Sequence, residues 1–164
     1  MFISSKESEF REFRQDLKEA INSERWAEQR LMTAILVEDQ RRSVVFGEIR
    51  RELDKSSIYV GIFGNKWSDW TVAEFKYARS LGLPLMVYRF GKAGTRHRPG
   101  RRSRVTRFMN DEVRPNVKVR EPYTKLDTLL DAIMSDLAVV TCDMVRESTD
   151  IRKRLNVGNI GLTS

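Results

Sequence analysis

The segment Gly61–Phe90, GIFGNKWSDWTVAEFKYARSLGLPLMVYRF, decides how the chain folds. Its first residues complete SIYVGIFG (Ser57–Gly64), which is β-branched and aromatic on both faces, as a central parallel strand covered by helices on each side must be. Past Gly64 and Asn65 the apolar period becomes helical in TVAEFKYARSLG (Thr71–Gly82), and Gly82 with Pro84 just beyond supplies a stop signal. PLMVYRF (Pro84–Phe90) then reads as the next strand.

The same alternation extends in both directions. Upstream, MFIS (Met1–Ser4) is a short strand, and SKESEFREFRQDLKEAI (Ser5–Ile21) repeats Phe10, Phe13, Leu17 and Ile21 at helical spacing, with Ser5 or Ser8 as its cap. MTAILVED (Met32–Asp39) reads as a second strand, and SVVFGEIRRELDKS (Ser43–Ser56) as a helix through Phe46, Ile49 and Leu53. Downstream, VTRFMNDEV (Val105–Val113) is a short helix and NVKVREP (Asn116–Pro122) a fifth strand. TKLDTLLDAIMSDLAVVTCDMV (Thr124–Val145) is a long helix with Leu126, Leu129, Leu130, Ile133 and Leu137 on its inner face. Repeated strand and helix predict an α/β fold of three layers around an open, mainly parallel five-stranded sheet, in the order 2-1-3-4-5. Residues 1–155 form the expected single domain, and residues 156–164 a flexible tail or linker.

Composition narrows the function classes. A chain of 164 residues with 40% hydrophobic content suits one domain with a proper core. The net charge of +7 favours an anionic partner without naming one. A single cysteine, Cys142, allows no intrachain disulfide, and a single histidine, His97, leaves no His/Cys-rich metal site, so neither a metal nor another resident cofactor is expected. No signal sequence and no apolar run long enough to span a bilayer is legible, which places the expected chain in the cytoplasm and away from membranes.

Ligands of an open parallel sheet bind at the carboxyl ends of the strands, near the point where strand order reverses. Those ends carry Ser4 and Ser5, then Glu38 and Asp39, then Gly64 and Asn65. Glu74 lies close by, and two roles are open to it. Thr71 and Glu74 make the T-x-x-E pattern of a capping box, in which the glutamate returns to the helix's own N-terminal amide. Alternatively its carboxylate faces a ligand.

The stretches FISS (Phe2–Ser5) and SSIYVGIFGNKWSDWTVAEFKYARSLGLPLMVYRF (Ser56–Phe90) resemble a bacterial and archaeal family of TIR-like domains of uncharacterised function, which often stand at the N-terminus of larger defence or signalling proteins. The resemblance spans Phe2 to about Phe90 and continues weakly into the last helix. In TIR domains the first strand ends in Phe-Ile-Ser, and a W-C-x-x-E motif sets a glutamate beside the ligand cleft; here Trp70 to Glu74 keep that register with Thr71 in the cysteine position. The resemblance implies a flavodoxin-like or TIR-like sheet, NAD or a related nucleotide as ligand, and cleavage of the nicotinamide–ribose bond of NAD as substrate. Glu74 would be the catalytic carboxylate, because that transition state resembles an oxocarbenium ion and is stabilised by nearby negative charge. Ser4, Ser5, Gly64 and Asn65 would bind phosphate or ribose, and Trp67 or Trp70 a flat ring.

Nucleoside deoxyribosyltransferases are similar too, sharing the acid at a helix start and a G-x-P entry to the next strand like Gly82, Leu83 and Pro84; their glutamate acts as a nucleophile. Many TIR domains instead serve only as interaction and assembly modules, which leaves a non-enzymatic role beside the hydrolase, with self-association or partner domains of a larger protein as its partners. VEDQRRSVV (Val37–Val45) offers Glu38, Asp39, Arg41 and Arg42 but lacks the Pro-Gly pair that TIR domains use in assembly. The basic loop from Lys92 to Arg107 suits phosphates, yet no aromatic precedes Phe108 to stack bases, so nucleic acid is a secondary expectation.

Overall fold

The computed structural model describes residues 1–23, 34–36, 46–91, 103–117, 119 and 122–160. The elements are β1 (Phe2–Ser5), α1 (Glu7–Ser23), β2 (Ile35–Leu36), α2 (Phe46–Asp54), β3 (Tyr59–Phe63), α3 (Asp69–Ser80), β4 (Leu85–Arg89), α4 (Arg104–Phe108) continued by a π-helical turn (Met109–Val113), and α5 (Leu126–Ile160). The strands form a parallel sheet in the order β2-β1-β3-β4. The chain thus leaves β1 toward one edge and returns across it to β3, which sets the reversal of strand order between β1 and β3.

Burial explains the register. Every residue of β1 and of β3 is buried, so a slip by one residue would exchange the side chains offered to the two sides of the sheet. Phe2 opposes Tyr59 and the rings stack at 6.3 Å. Together with Phe63 and Val87 they meet Ile49 and Leu53 of α2, Phe75 and Ala78 of α3, and Val105 and Phe108 of α4 in one apolar cluster. Ile3, Val60, Ile62, Met86 and Tyr88 alternate to the other face and are equally buried, and α1 packs on β1 and β2.

The α/β, parallel character matches the expectation, and the described pairings differ from it at the far edge. Among the described residues the sheet is extended beyond β4 by an isolated parallel bridge that joins Phe90 to Tyr123, with Tyr123 N–H donating to the Arg89 carbonyl at 2.8 Å and Gly91 N–H donating to the Tyr123 carbonyl at 2.7 Å. Residues 118, 120 and 121 of the predicted fifth strand, Asn116–Pro122, lie outside the described residues, as do the ends of the second predicted strand, Glu38 and Asp39 with it, and the basic loop from Lys92 to Arg102.

Helix starts also differ. α1 begins at Glu7 and breaks at Phe10 (φ −134°, ψ 22°), so the turn bearing Glu7 and Glu9 is set off from the long amphipathic part that buries Phe13, Leu17 and Ile21. α5 buries Leu129, Ile133 and Leu137 at four-residue intervals, while Leu126, expected inside, is exposed. This helix runs to Ile160, into the stretch expected as a tail or linker. By compactness Met1–Leu130 is one unit and Asp131–Ser164 another.

Phe108 packs against Phe63 at 5.5 Å, Phe75 at 5.6 Å and Trp67 at 5.8 Å, which makes it the hub joining α4 to the sheet. Phe108→Ala is expected to cost roughly 3–5 kcal/mol and lower the melting temperature by about 10 °C in a chain of this size; a thermal melt followed by circular dichroism checks this, with Phe108→Leu losing less than half as much.

Candidate functional site

At the carboxyl end of β1 the fold buries two hydroxyls and brings a carboxylate to one of them. Ser4 of β1 is buried opposite Gly61 of β3 in the parallel register. Its Oγ donates a hydrogen bond to Glu74 Oε2. Glu74 is only 8% exposed, where an ionised carboxylate needs donors to offset the lost hydration.

This contact revises the capping role. The N-cap of α3 is Ser68, whose Oγ accepts from the Thr71 amide at 3.2 Å and from the Thr71 hydroxyl at 3.0 Å. Thr71 therefore sits inside the first turn, and Glu74 lies a further turn along the helix, beyond reach of the terminal amides. The T-x-x-E pattern misled because Ser68, three residues ahead of Thr71, is an equally good cap and starts the helix earlier.

Tyr59 completes the cluster. A Cβ on Gly61 would stand 2.7 Å from Tyr59 Cε1 and 3.0 Å from its hydroxyl, so the absence of a side chain at 61 lets the ring lie along the strand toward Ser4. The Tyr59 hydroxyl lies 3.5 Å from the Thr71 carbonyl. Burial and, secondarily, the Glu74 charge hold this phenol well above its ordinary pKa, with hydrogen bonding to Ser4 acting in the opposite direction. Tyr59 is not among the residues singled out in the sequence; the signal there is a phenolic hydroxyl in an otherwise apolar strand, which must find polar company when buried.

The remaining predicted residues lie around this end of the sheet without joining the hydrogen bond between Ser4 and Glu74. Ser5 is 9% exposed and its Oγ has no hydrogen-bond partner among the described residues. Gly64 and Trp67 line a shallow depression with Lys6, Lys66, Ser68 and Thr71. Trp67 is engaged by protein on both counts available to it: Arg104 lies over its ring at 4.2 Å, and its Nε1 donates to Asp69 at 2.6 Å. Trp70 is 45% exposed.

Asn65 belongs to a second cluster. Its amide donates to Glu9 Oε1 at 2.8 Å and the Lys66 amide to Glu9 Oε2 at 3.2 Å. Arg89, at the end of β4, donates to the carbonyls of Phe63, Gly64 and Phe90 and to Asn65 Oδ1 at 3.1 Å, tying the loop after β3 to β4. Burial draws the Arg89 pKa below its ordinary value, and the Glu9 charge works against that. Neither Glu9 nor Arg89 was singled out in the sequence, since an acid in a first helical turn and a cation at a strand end are both common surface features.

The fold and site together define an α/β domain with a buried serine–glutamate pair at the reversal point of a parallel sheet. The chain belongs to the family described as a domain of unknown function, DUF4062, whose model matches residues 1–156. Comparison with curated proteins and with solved structures gives no match. Among the described residues no helix is long and apolar enough to cross a membrane.

Tyr59 gives the site a pH signature. A native pKa above the unfolded value near 10 means the native state keeps a proton that the unfolded state loses, so stability holds below roughly pH 10 and falls as pH rises beyond it. Denaturant unfolding between pH 9 and about pH 11 is expected to show this decline, and Tyr59→Phe to flatten it.

Proposed function

We propose that this chain is a TIR-like domain of a prokaryotic defence or signalling protein that binds NAD or a related nucleotide and cleaves its nicotinamide–ribose bond through Glu74. The observation that carries the reading is the hydrogen bond from Ser4 to Glu74. It takes the glutamate away from a capping role and points it, buried, at the carboxyl end of β1, where parallel sheets hold their ligands. A carboxylate oriented by a fixed hydroxyl in a site of low polarity is suited to stabilise an oxocarbenium-like ribose, because its charge acts there with little screening. In this reading Ser4 positions the carboxylate and Glu74 faces the sugar. Ser5, Gly64 and Asn65 border the ribose and phosphates.

The fold inference goes with it. The parallel bridge between Phe90 and Tyr123 supports a fifth strand beside β4, completing the order 2-1-3-4-5 of flavodoxin-like and TIR-like sheets. Self-association or attachment to partner domains would bring the site to its working state. The compartment proposed is the cytoplasm.

The test is nicotinamide release from NAD by purified protein at high concentration with a crowding agent. Release is expected from the wild type and a loss of at least about 100-fold from Glu74→Gln, which keeps an acceptor for Ser4 and should leave the melting temperature within about 4 °C. Ser4→Ala is expected to lower turnover less, by displacing rather than removing the carboxylate. Absence of release, with NAD binding also absent, would instead favour the interaction module; hydrolysis of 2′-deoxynucleosides without nicotinamide release would favour the deoxyribosyltransferase-like enzyme.

A further inference from the structure

The second cluster at this end of the sheet has the chemistry of an anion receptor whose occupant is part of the chain. Successive backbone amides in a turn that converge on one point form a concavity for negative charge. In the loop after β3 the Asn65 and Lys66 amides converge on the two oxygens of one carboxylate, Glu9, at 2.8 and 3.2 Å. A Cβ at Gly64 would overlap that carboxylate, so the loop admits it only because residue 64 has no side chain. Arg89 donates to the carbonyls of Phe63, Gly64 and Phe90 and to Asn65 Oδ1, which ties the loop to β4 and sets a positive charge beside it.

The occupant is on a segment of its own. Glu9 belongs to the single turn before the break at Phe10, where φ −134° and ψ 22° leave the helical range. That turn is held by Glu9 and Phe10 N–H donating to the Lys6 carbonyl, at 3.0 and 3.2 Å, while the part of α1 that buries Phe13, Leu17 and Ile21 follows the break. Phe10 itself is buried, against Phe13 and Phe90, so the carboxylate leaves the loop by rotation of the Glu9 side chain, with the break and the core in place.

We propose that the Gly64–Lys66 loop is a receptor for a phosphoryl group, and that Glu9 is its resident competitor, seated until phosphate displaces it. A phosphate carries about −1.5 to −2 charge near neutral pH and more acceptor oxygens than a carboxylate, so it gains more from the two amides and the Arg89 field than Glu9 does. The assignment rests on the phosphate-bordering role given to Gly64 and Asn65 under the proposed function, and it is tested by binding, separately from cleavage through Glu74.

The test follows the Asn65 and Lys66 amide signals by ¹⁵N NMR in the full chain, titrated with inorganic phosphate and, separately, with ADP. Removing the competitor raises the fraction of molecules with an open loop, and apparent affinity rises by that fraction. In Glu9→Gln both signals should lose the effect of the charged acceptor, and phosphate should bind about tenfold more tightly than to wild type, as expected if Glu9 is seated in about nine molecules of ten. Adding Gly64→Ala to Glu9→Gln refills the space beneath the amides and should abolish the gain, which separates this loop from basic residues elsewhere. ADP binding tighter than phosphate would assign the phosphoryl group to a nucleotide, and equal affinity to free phosphate. Should Glu9→Gln prove unfolded, Glu9→Asp, one methylene shorter and unable to span both amides, should give a smaller gain of the same sign. Unchanged affinity in the folded variants, binding that persists with Gly64→Ala, or no response of the two amides in any protein would overturn the proposal.

Discussion

The parallel pairing of β1 with β3 is the constraint on which the rest of the structure depends. Both strands are buried along their whole length, so their register is fixed by what each face must hide. That register sets Phe2 on Tyr59 and Ser4 opposite Gly61. The first pair is apolar packing, and the second sets a hydroxyl and a missing side chain two residues further along the same strands, where the Tyr59 ring lies. A serine there would be a liability alone, since a buried hydroxyl without a partner costs on the order of 1–3 kcal/mol; with Glu74 as acceptor it becomes a fixed donor. The strands that hold the core together thus also set the reach and direction of the carboxylate.

Two acids come to the same end of the sheet by different routes, in a chain whose net charge is +7. Glu74 arrives on α3, buried, and takes a hydroxyl donor from β1. Glu9 arrives on the first turn of α1 and takes two backbone donors from the loop after β3. The first contact is buried between β1 and α3 and joins two side chains. The second is at the rim, in a loop tied to β4 by Arg89, where an external anion would meet the same donors. Backbone amides supply the recognition in one case and a side chain in the other, which is why a single substitution at Gly64 bears on one cluster and leaves the other intact.

Sequence patterning made the strands legible because a fully buried parallel strand has few alternatives: FIS and YVGIF are too apolar and too β-branched for anything else, and their order followed from alternation with helices. Ser4, Ser5, Gly64 and Asn65 could be placed near one another for the same reason, since strand ends converge. What could not be read was which polar groups would face each other. Tyr59 looked like strand filling because its hydroxyl depends on the missing side chain at Gly61, a relation between positions two apart that only three-dimensional packing makes visible. Arg89 and Glu9 contact a loop whose residues stand 24 and 56 positions away, for Asn65 in each case, and no periodicity links such distances. The edge strands were the least legible, because an edge is paired on one side alone and its composition is correspondingly less constrained.

The start of α3 shows how a local choice decides a chemical one. Ser68 and Thr71 are both able to cap a helix, and each would make a different residue of the next turn the partner of the terminal amides. With Thr71 as cap, Glu74 would be the third helical residue and would spend its carboxylate on its own backbone. With Ser68 as cap, the helix begins at Asp69, and Glu74 moves three residues inward, about 4.5 Å along the axis at 1.5 Å per residue. A glutamate side chain cannot then fold back to the N-terminus, and the first donor it meets across the interface is Ser4. Ser68 takes both the amide and the hydroxyl of Thr71, whereas Thr71 as cap would draw on Glu74 for both, through its amide and its carboxylate. The cap at Ser68 and the carboxylate at Ser4 are therefore two consequences of one helix start, because a Thr71 served by Ser68 leaves Glu74 to Ser4.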